Sequence, residues 1–199
     1  MNPSRHDDAA LGADLQGFRA LGETEIHQGY VMRLVAARFE SPTGEQFQRD
    51  VVRSPGAVAV VPVLQGSDRP GPVTVLVRQF RAAVGQWLWE IPAGLRDKPG
   101  EPVEDTARRE LIEETGFDAA RLDLLVSFYN AAGMTDQRTH IFMARDLSQV
   151  GRAADGIEEA FLEVHEVPFS QVPAMIASGE VCDAKTIIGL TLAAQLLSR

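Results

Sequence analysis

Between Glu101 and Phe117 the chain reads EPVEDTARRELIEETGF, and this stretch leaves few choices for its fold. Glu101-Pro102 marks a helix start, with proline in the first turn, where its missing N–H is harmless. Gly116 marks the stop, because only glycine enters the left-handed conformation cheaply. Val103, Ala107 and Leu111 recur at every fourth position and form an apolar stripe that needs a surface to pack on. At about 100° per residue, Glu110, Glu113 and Glu114 fall within an arc of roughly 100° on that helix. Carboxylates at these spacings repel one another, and Arg109, one turn before Glu113, relieves only part of the repulsion. A divalent cation would relieve the rest. Oxygen-only ligands suit Mg2+ or Mn2+, and magnesium bridges protein carboxylates to ligand phosphates. The competing reading is a solvated acidic face, which E-x-x-E-E alone would allow. Glu101, Arg109, Gly116 and the strand leading into Gly94 together argue against it.

The rest of the chain sets limits. Its 199 residues, 45% of them hydrophobic, suffice for one globular core with a small appendage. A formal charge of −9 argues against nucleic acid as a partner, since phosphate neutralisation needs a basic surface. An anionic substrate must then be received by local arginines and bound metal rather than by the overall field. Cys182 is the single cysteine, which rules out an intrachain disulfide and a cysteine-based zinc site. Residues 1–20 lack the apolar core of a signal peptide, and no apolar run reaches the length of a membrane span. The expectation is a soluble cytoplasmic protein without membrane or nucleic-acid partners. His6, His27, His140 and His165 show no metal-ligand spacing.

Patterning predicts a flexible tail over 1–22, then strands over Tyr30–Phe39 and Gln46–Arg53 joined by the turn Ser41-Pro-Thr-Gly44. Further strands are predicted over Ala57–Leu64, Val73–Phe80, Trp87–Ile91, Leu122–Asn130, Thr139–Ala144 and Phe161–Val167. Helices are predicted over Glu101–Thr115, Ser170–Ala177 and Asp183–Leu197. Strands on both sides of a central helix, with a helix at the end, fit an α/β protein whose mixed sheet is covered on two faces. The N-terminal hairpin could not bury itself alone.

The acidic segment resembles the signature of the Nudix hydrolases, G-x5-E-x7-R-E-U-x-E-E-x-G-U, with U a bulky apolar residue. The match is complete from Glu101 to Phe117; six residues rather than five separate Gly94 from Glu101. Pro55–Val61, Val77-Arg-Gln-Phe-Arg81, Leu88-Trp-Glu-Ile-Pro-Ala-Gly94 and Val181–Thr186 are similar to the ADP-ribose pyrophosphatase branch, in which that one-residue insertion is seen. One departure bears on the substrate: Tyr129–Asp136 reads YNAAGMTD, with alanine where the branch carries proline.

The resemblance implies a Nudix α/β/α sandwich over 55–199, preceded by a β extension over 23–54 that serves a homodimer, by exchange of the hairpin. It implies Mg2+-dependent hydrolysis of a nucleoside diphosphate linked to another group, with ADP-ribose yielding AMP and ribose 5-phosphate. Glu110 and Glu114 would coordinate Mg2+ (or Mn2+), Glu113 would share a metal and act in catalysis, and the Ala93 carbonyl would complete one site. Gly94, Glu101, Arg109 and Gly116 would be structural. The water-activating base would come from Asp155–Glu159, at Glu159 or Glu158. Arg49 and Arg81 would meet the diphosphate or terminal ribose, as the guanidinium fork suits phosphate oxygens. Trp87 and Trp89 are expected in core or interface, and Arg138 is a further candidate. Two alternatives stand: another NDP-sugar, NADH or an oxidised nucleotide as substrate, or a catalytically silent module that binds ADP-ribose.

Overall fold

The computed structural model describes residues 16–66, 70–152 and 160–198, which form two compact units. The smaller unit ends at Ser54 and includes the remote loop Ala131–Asp136. Its strands β1 (Arg19–Gln28), β2 (Arg33–Glu40) and β3 (Gln46–Arg53) form an antiparallel sheet in that order. The β2–β3 hairpin closes through Gly44, at φ 83°, and the directly opposed Phe39 and Phe47 stack with ring centroids 5.6 Å apart. Such cross-strand aromatic pairs fix register. The loop joins this sheet by paired contacts: the Val52 N–H donates to the Met134 carbonyl (2.9 Å), and Asp136 accepts from the Ser54 N–H and from Arg53 (2.9 and 3.1 Å).

β1 is the main departure from the sequence reading, because it begins at Arg19, inside the stretch expected to be a tail. The hairpin therefore has a third strand. β1 is mostly exposed and held by backbone pairing to β2, with register shifts between Ala20 and Gly22 and between Glu25 and His27. An exposed edge strand with such irregularities carries no alternating pattern to read.

The larger unit carries a seven-stranded mixed sheet. Its order is β10 (Glu163–Pro168), β5 (Val73–Arg81), β4 (Ala57–Leu64), β9 (Arg138–Gln149) and β8 (Phe117–Tyr129); β6 (Gln86–Glu90) pairs with β5 and β7 (Ala93–Leu95) with β4. β4 and β9 run parallel, and the other pairs are antiparallel. β4 explains the layering. Val58 and Val60 pack on one face with Ala107 and Leu111 of helix α1 (Val103–Thr115). Ala59, Val61 and Val63 pack on the other with Leu190 and Ala193 of helix α3 (Ala184–Leu197) and Val172 of α2 (Val172–Ser178). A strand buried on both faces reads as the continuous apolar run AVAVVPVL. At Gly189 the α3 backbone comes so close that a Cβ would sit 2.9 Å from Val61 and 3.0 Å from Ile91. Leu111 is fully buried, and burying a leucine contributes about 1.5–3 kcal/mol to anchoring α1.

The sandwich expected from the sequence is present, with adjustments at its edges. β8 and β9 run longer than expected because β8 starts directly after Gly116 and both strands continue as a bulged hairpin. The helix begins at Val103, with Pro102 as its N-cap rather than inside the first turn. No helix among the described residues is long and apolar enough to cross a membrane.

Candidate active site

α1 delivers its acidic face to the short strand β7. Gly116, at φ 76°, ends the helix and donates its N–H to the Ile112 carbonyl (2.9 Å). A Cβ at that position would also lie 3.0 Å from the Arg152 nitrogen. The first turn carries Glu104 and Asp105, as the helix dipole favours. The last turn has no basic residue and holds Glu113 and Glu114, which the dipole disfavours. Stability alone does not account for that placement.

Glu110 and Glu114 lie one turn apart and are only 6% and 4% exposed. Glu114 accepts a hydrogen bond from the Ala93 N–H at 3.1 Å. Glu110 reaches Gly94 so closely that a Cβ there would stand 2.1 Å from its carboxyl carbon, so Gly94 is required for space rather than for its dihedral freedom. Arg109 gathers the remaining carboxylates. Its Nη1 lies 2.8 Å from both Glu110 and Glu113, and its Nε and Nη2 each donate to Glu101 at 3.3 Å. Burial works against the Arg109 charge, but its bonds to Glu101 and Glu113 and the charge of Glu110 outweigh it and raise its pKa. The same bond holds the Glu101 carboxyl below its usual value.

Glu101, Glu110 and Glu113 thus share one guanidinium, and with Glu114 beside them they leave a net negative site of oxygen donors by the backbone of β7. That donor chemistry fits a hard divalent cation, with Glu110 and Glu114 as the residues to hold it. Among the described residues, no cluster of three or more acidic, histidine or cysteine side chains forms a metal cage by itself.

A cleft of about 290 Å³ adjoins this face, bordered by Ala93, Gly94 and Leu95 on one side and by Arg81, Asp183 and Lys185 on another. Arg81 and Lys185 are the two cations among the described residues lining it. Both are held by Glu90, at the end of β6 and 1% exposed. Arg81 donates to it through Nε (2.7 Å) and Nη2 (2.6 Å), and the Lys185 ammonium is hydrogen-bonded to the same carboxylate. Lys185 also donates to Asp183 (3.0 Å), whose carboxylate caps α3 by accepting from the Thr186 N–H and hydroxyl. Burial alone would raise the Glu90 carboxyl; Arg81 and Lys185 outweigh it and hold the group below 4.5.

A pH dependence follows from that shift. A carboxyl whose folded pKa is depressed stabilises the fold above its unfolded value, here 4.5, and that contribution is lost as pH falls through the lower folded value. Thermal melts on the acid side of pH 4.5 should therefore fall steeply for the wild type and less steeply for Glu90→Gln. Equal acid limbs would contradict the assignment.

The structure brings Ala93, Gly94, Glu101, Arg109, Glu110, Glu113, Glu114 and Gly116 into one region and places Arg81 at the adjoining cleft. Arg49 lies in the smaller unit, exposed, with its guanidinium 4.9 Å above the Phe47 ring. Glu158 and Glu159 lie outside the described residues. Trp89 packs against the core as expected, whereas Trp87 is 44% exposed. The sequence reading gave no role to Glu90, Asp183 or Lys185. A usable signal was present: a lone carboxylate within the apolar run LWEIP needs a cationic partner if that strand is buried.

The model of the NUDIX domain matches residues 53–185. An ADP-ribose pyrophosphatase of Bacillus subtilis (strain 168) is 38% identical over 168 residues, covering 84% of this chain and 88% of the relative. A GDP-mannose pyrophosphatase of Escherichia coli O1:K1 / APEC is 41% identical over 122 residues, covering 57% of this chain and 62% of the relative. A crystal structure of an ADP compounds hydrolase aligns with a TM-score of 0.77 over 92% of this chain and 96% of that one; at 23% identity this likeness shows the fold.

Proposed function

The chain belongs to the Nudix family of hydrolases, which act on nucleoside diphosphates linked to a further group, and from that premise we propose that it hydrolyses ADP-ribose to AMP and ribose 5-phosphate with Mg2+. One observation carries the reading: two buried carboxylates, Glu110 and Glu114, adjoin a cleft that also presents the cations Arg81 and Lys185. A metal-bridged diphosphate needs both signs of charge at one place. ADP-ribose is favoured because the ADP-ribose pyrophosphatase relative covers 84% of this chain, whereas the GDP-mannose relative covers 57%. The second relative, together with the alanines at 131 and 132, supports another NDP-sugar as the alternative substrate.

In this reading Glu110 and Glu114 hold Mg2+, with Glu113 and the Ala93 carbonyl contributing to the metal environment. When bound, the metal supplies electrophilic activation of the phosphoryl group and orientation of water. The chain's own groups do the rest. Gly94 admits the Glu110 carboxylate, and the Ala93 N–H orients that of Glu114. Arg109, braced by Glu101, limits the repulsion among the acids. Arg81 and Lys185 meet the diphosphate oxygens by charge-assisted hydrogen bonds. Glu159 or Glu158 takes the proton from water, on the strength of the sequence alone. By the sequence resemblance Arg49 also meets the diphosphate or terminal ribose, and the enzyme is a homodimer.

Parallel assays with ADP-ribose, GDP-mannose, UDP-glucose, NADH and 8-oxo-dGTP in Mg2+ test this. ADP-ribose should give the highest kcat/KM. A higher value for GDP-mannose would move the assignment to the alternative, and tight ADP-ribose binding without turnover of any compound would refute the enzyme reading.

A further inference from the structure

We propose that Glu90 is a positioning residue for substrate recognition, fixing the Arg81 guanidinium and the Lys185 ammonium as one preorganised pair that meets the diphosphate. The inference rests on the reading of the cleft as a diphosphate site.

Donor accounting supports the role. Arg81 spends Nε and one N–H of Nη2 on Glu90, and among the described residues its Nη1 has no protein acceptor. Lys185 has three donors and uses one on Glu90 and one on Asp183, leaving the third without an acceptor among the described residues. Each cation is thus anchored on one side, and both line the cleft. Glu90 itself does not line it and is 1% exposed, so it acts only through them.

The anchoring is itself tied down. The Ile91 N–H, next in sequence to Glu90, donates to the Thr186 hydroxyl oxygen (3.0 Å), and Thr186 donates to the Asp183 cap. The end of β6 and the start of α3 are therefore fixed relative to each other. An isolated lysine or arginine side chain would give up rotamer freedom on meeting a phosphate; two-point anchoring removes that cost beforehand. A buried carboxylate between two cations is also an expensive way to stabilise a strand, since an apolar side chain of similar volume does as well or better.

The test combines steady-state kinetics on ADP-ribose in Mg2+ with calorimetric titration of inorganic pyrophosphate. Glu90→Gln removes the charge and nearly keeps the shape. Glu90→Asp keeps the charge balance, and with it the fold, but withdraws the carboxylate by one carbon–carbon bond. Both should raise KM and weaken pyrophosphate binding by about tenfold, with kcat within about threefold of wild type. In an Arg81→Met/Lys185→Met background, adding Glu90→Gln should change neither quantity by more than about twofold, because coupled residues are non-additive. Unchanged KM and pyrophosphate affinity, tighter pyrophosphate binding, or a full further loss in the double-variant background would each overturn the proposal. If wild type binds pyrophosphate and the Glu90 variants lose it in the expected pattern, but the wild type turns over no diphosphate, the substrate reading falls and the positioning role stands.

Discussion

Glu114→Gln lowers kcat/KM by about 10³-fold or more, the expected consequence of removing several kcal/mol of metal-dependent stabilisation. The substitution keeps the side chain's length and an oxygen able to accept the Ala93 N–H, now 3.1 Å from the carboxylate. It removes the negative charge that makes a carboxylate a magnesium ligand. Far-UV circular dichroism should be unchanged. Calorimetric titration with Mg2+ or Mn2+ should show weakened binding, a readout independent of turnover. The variant also lowers the repulsion around Glu110 and Glu113, so its melting temperature in EDTA should equal or exceed that of wild type. Full activity in the variant would remove Glu114 from the metal site.

Gly94→Ala should cost about 10²-fold in kcat/KM, although a methyl group is the smallest change available. The new Cβ would lie 2.1 Å from the Glu110 carboxyl carbon and 2.2 and 2.3 Å from its oxygens. Glu110 would have to leave, yet it is 6% exposed and bound to Arg109. The displaced carboxylate no longer faces the backbone of β7, and forcing the methyl in costs about 1–3 kcal/mol of stability. Kinetics and thermal melts measured together distinguish this from simple unfolding: activity should fall far more than the folded fraction at assay temperature. An unimpaired Gly94→Ala would show that Glu110 has no fixed place in the reaction.

What was legible in the sequence follows from what each residue must do. The signature around α1 was readable because it needs glycine at two boundaries and carboxylates at fixed helical spacings, constraints that few other sequences meet. β4 was readable because burial on both faces makes an unbroken apolar run. β1 was not, since backbone pairing holds it and most of its side chains face solvent. The Glu90 network was hidden for a different reason. Arg81, Glu90, Asp183 and Lys185 come from β5, β6 and the start of α3, and only folding unites them. Arg81 is expected, with Arg49, against the diphosphate or terminal ribose; the structure pairs it with a buried acid that no spacing rule connects to Lys185. Arg49, chosen by the same reasoning, belongs to the smaller unit.

The central claim, metal-dependent hydrolysis of a diphosphate at the Glu110–Glu114 face, is tested most directly by phosphorus NMR of ADP-ribose incubated with the protein in Mg2+ and, separately, in EDTA. With Mg2+ the two anhydride resonances should be replaced by two phosphomonoester resonances, from AMP and ribose 5-phosphate in equal amounts, and EDTA should leave the anhydride intact. Anhydride that survives Mg2+ in the presence of folded protein, or that is cleaved equally well in EDTA, would contradict the account.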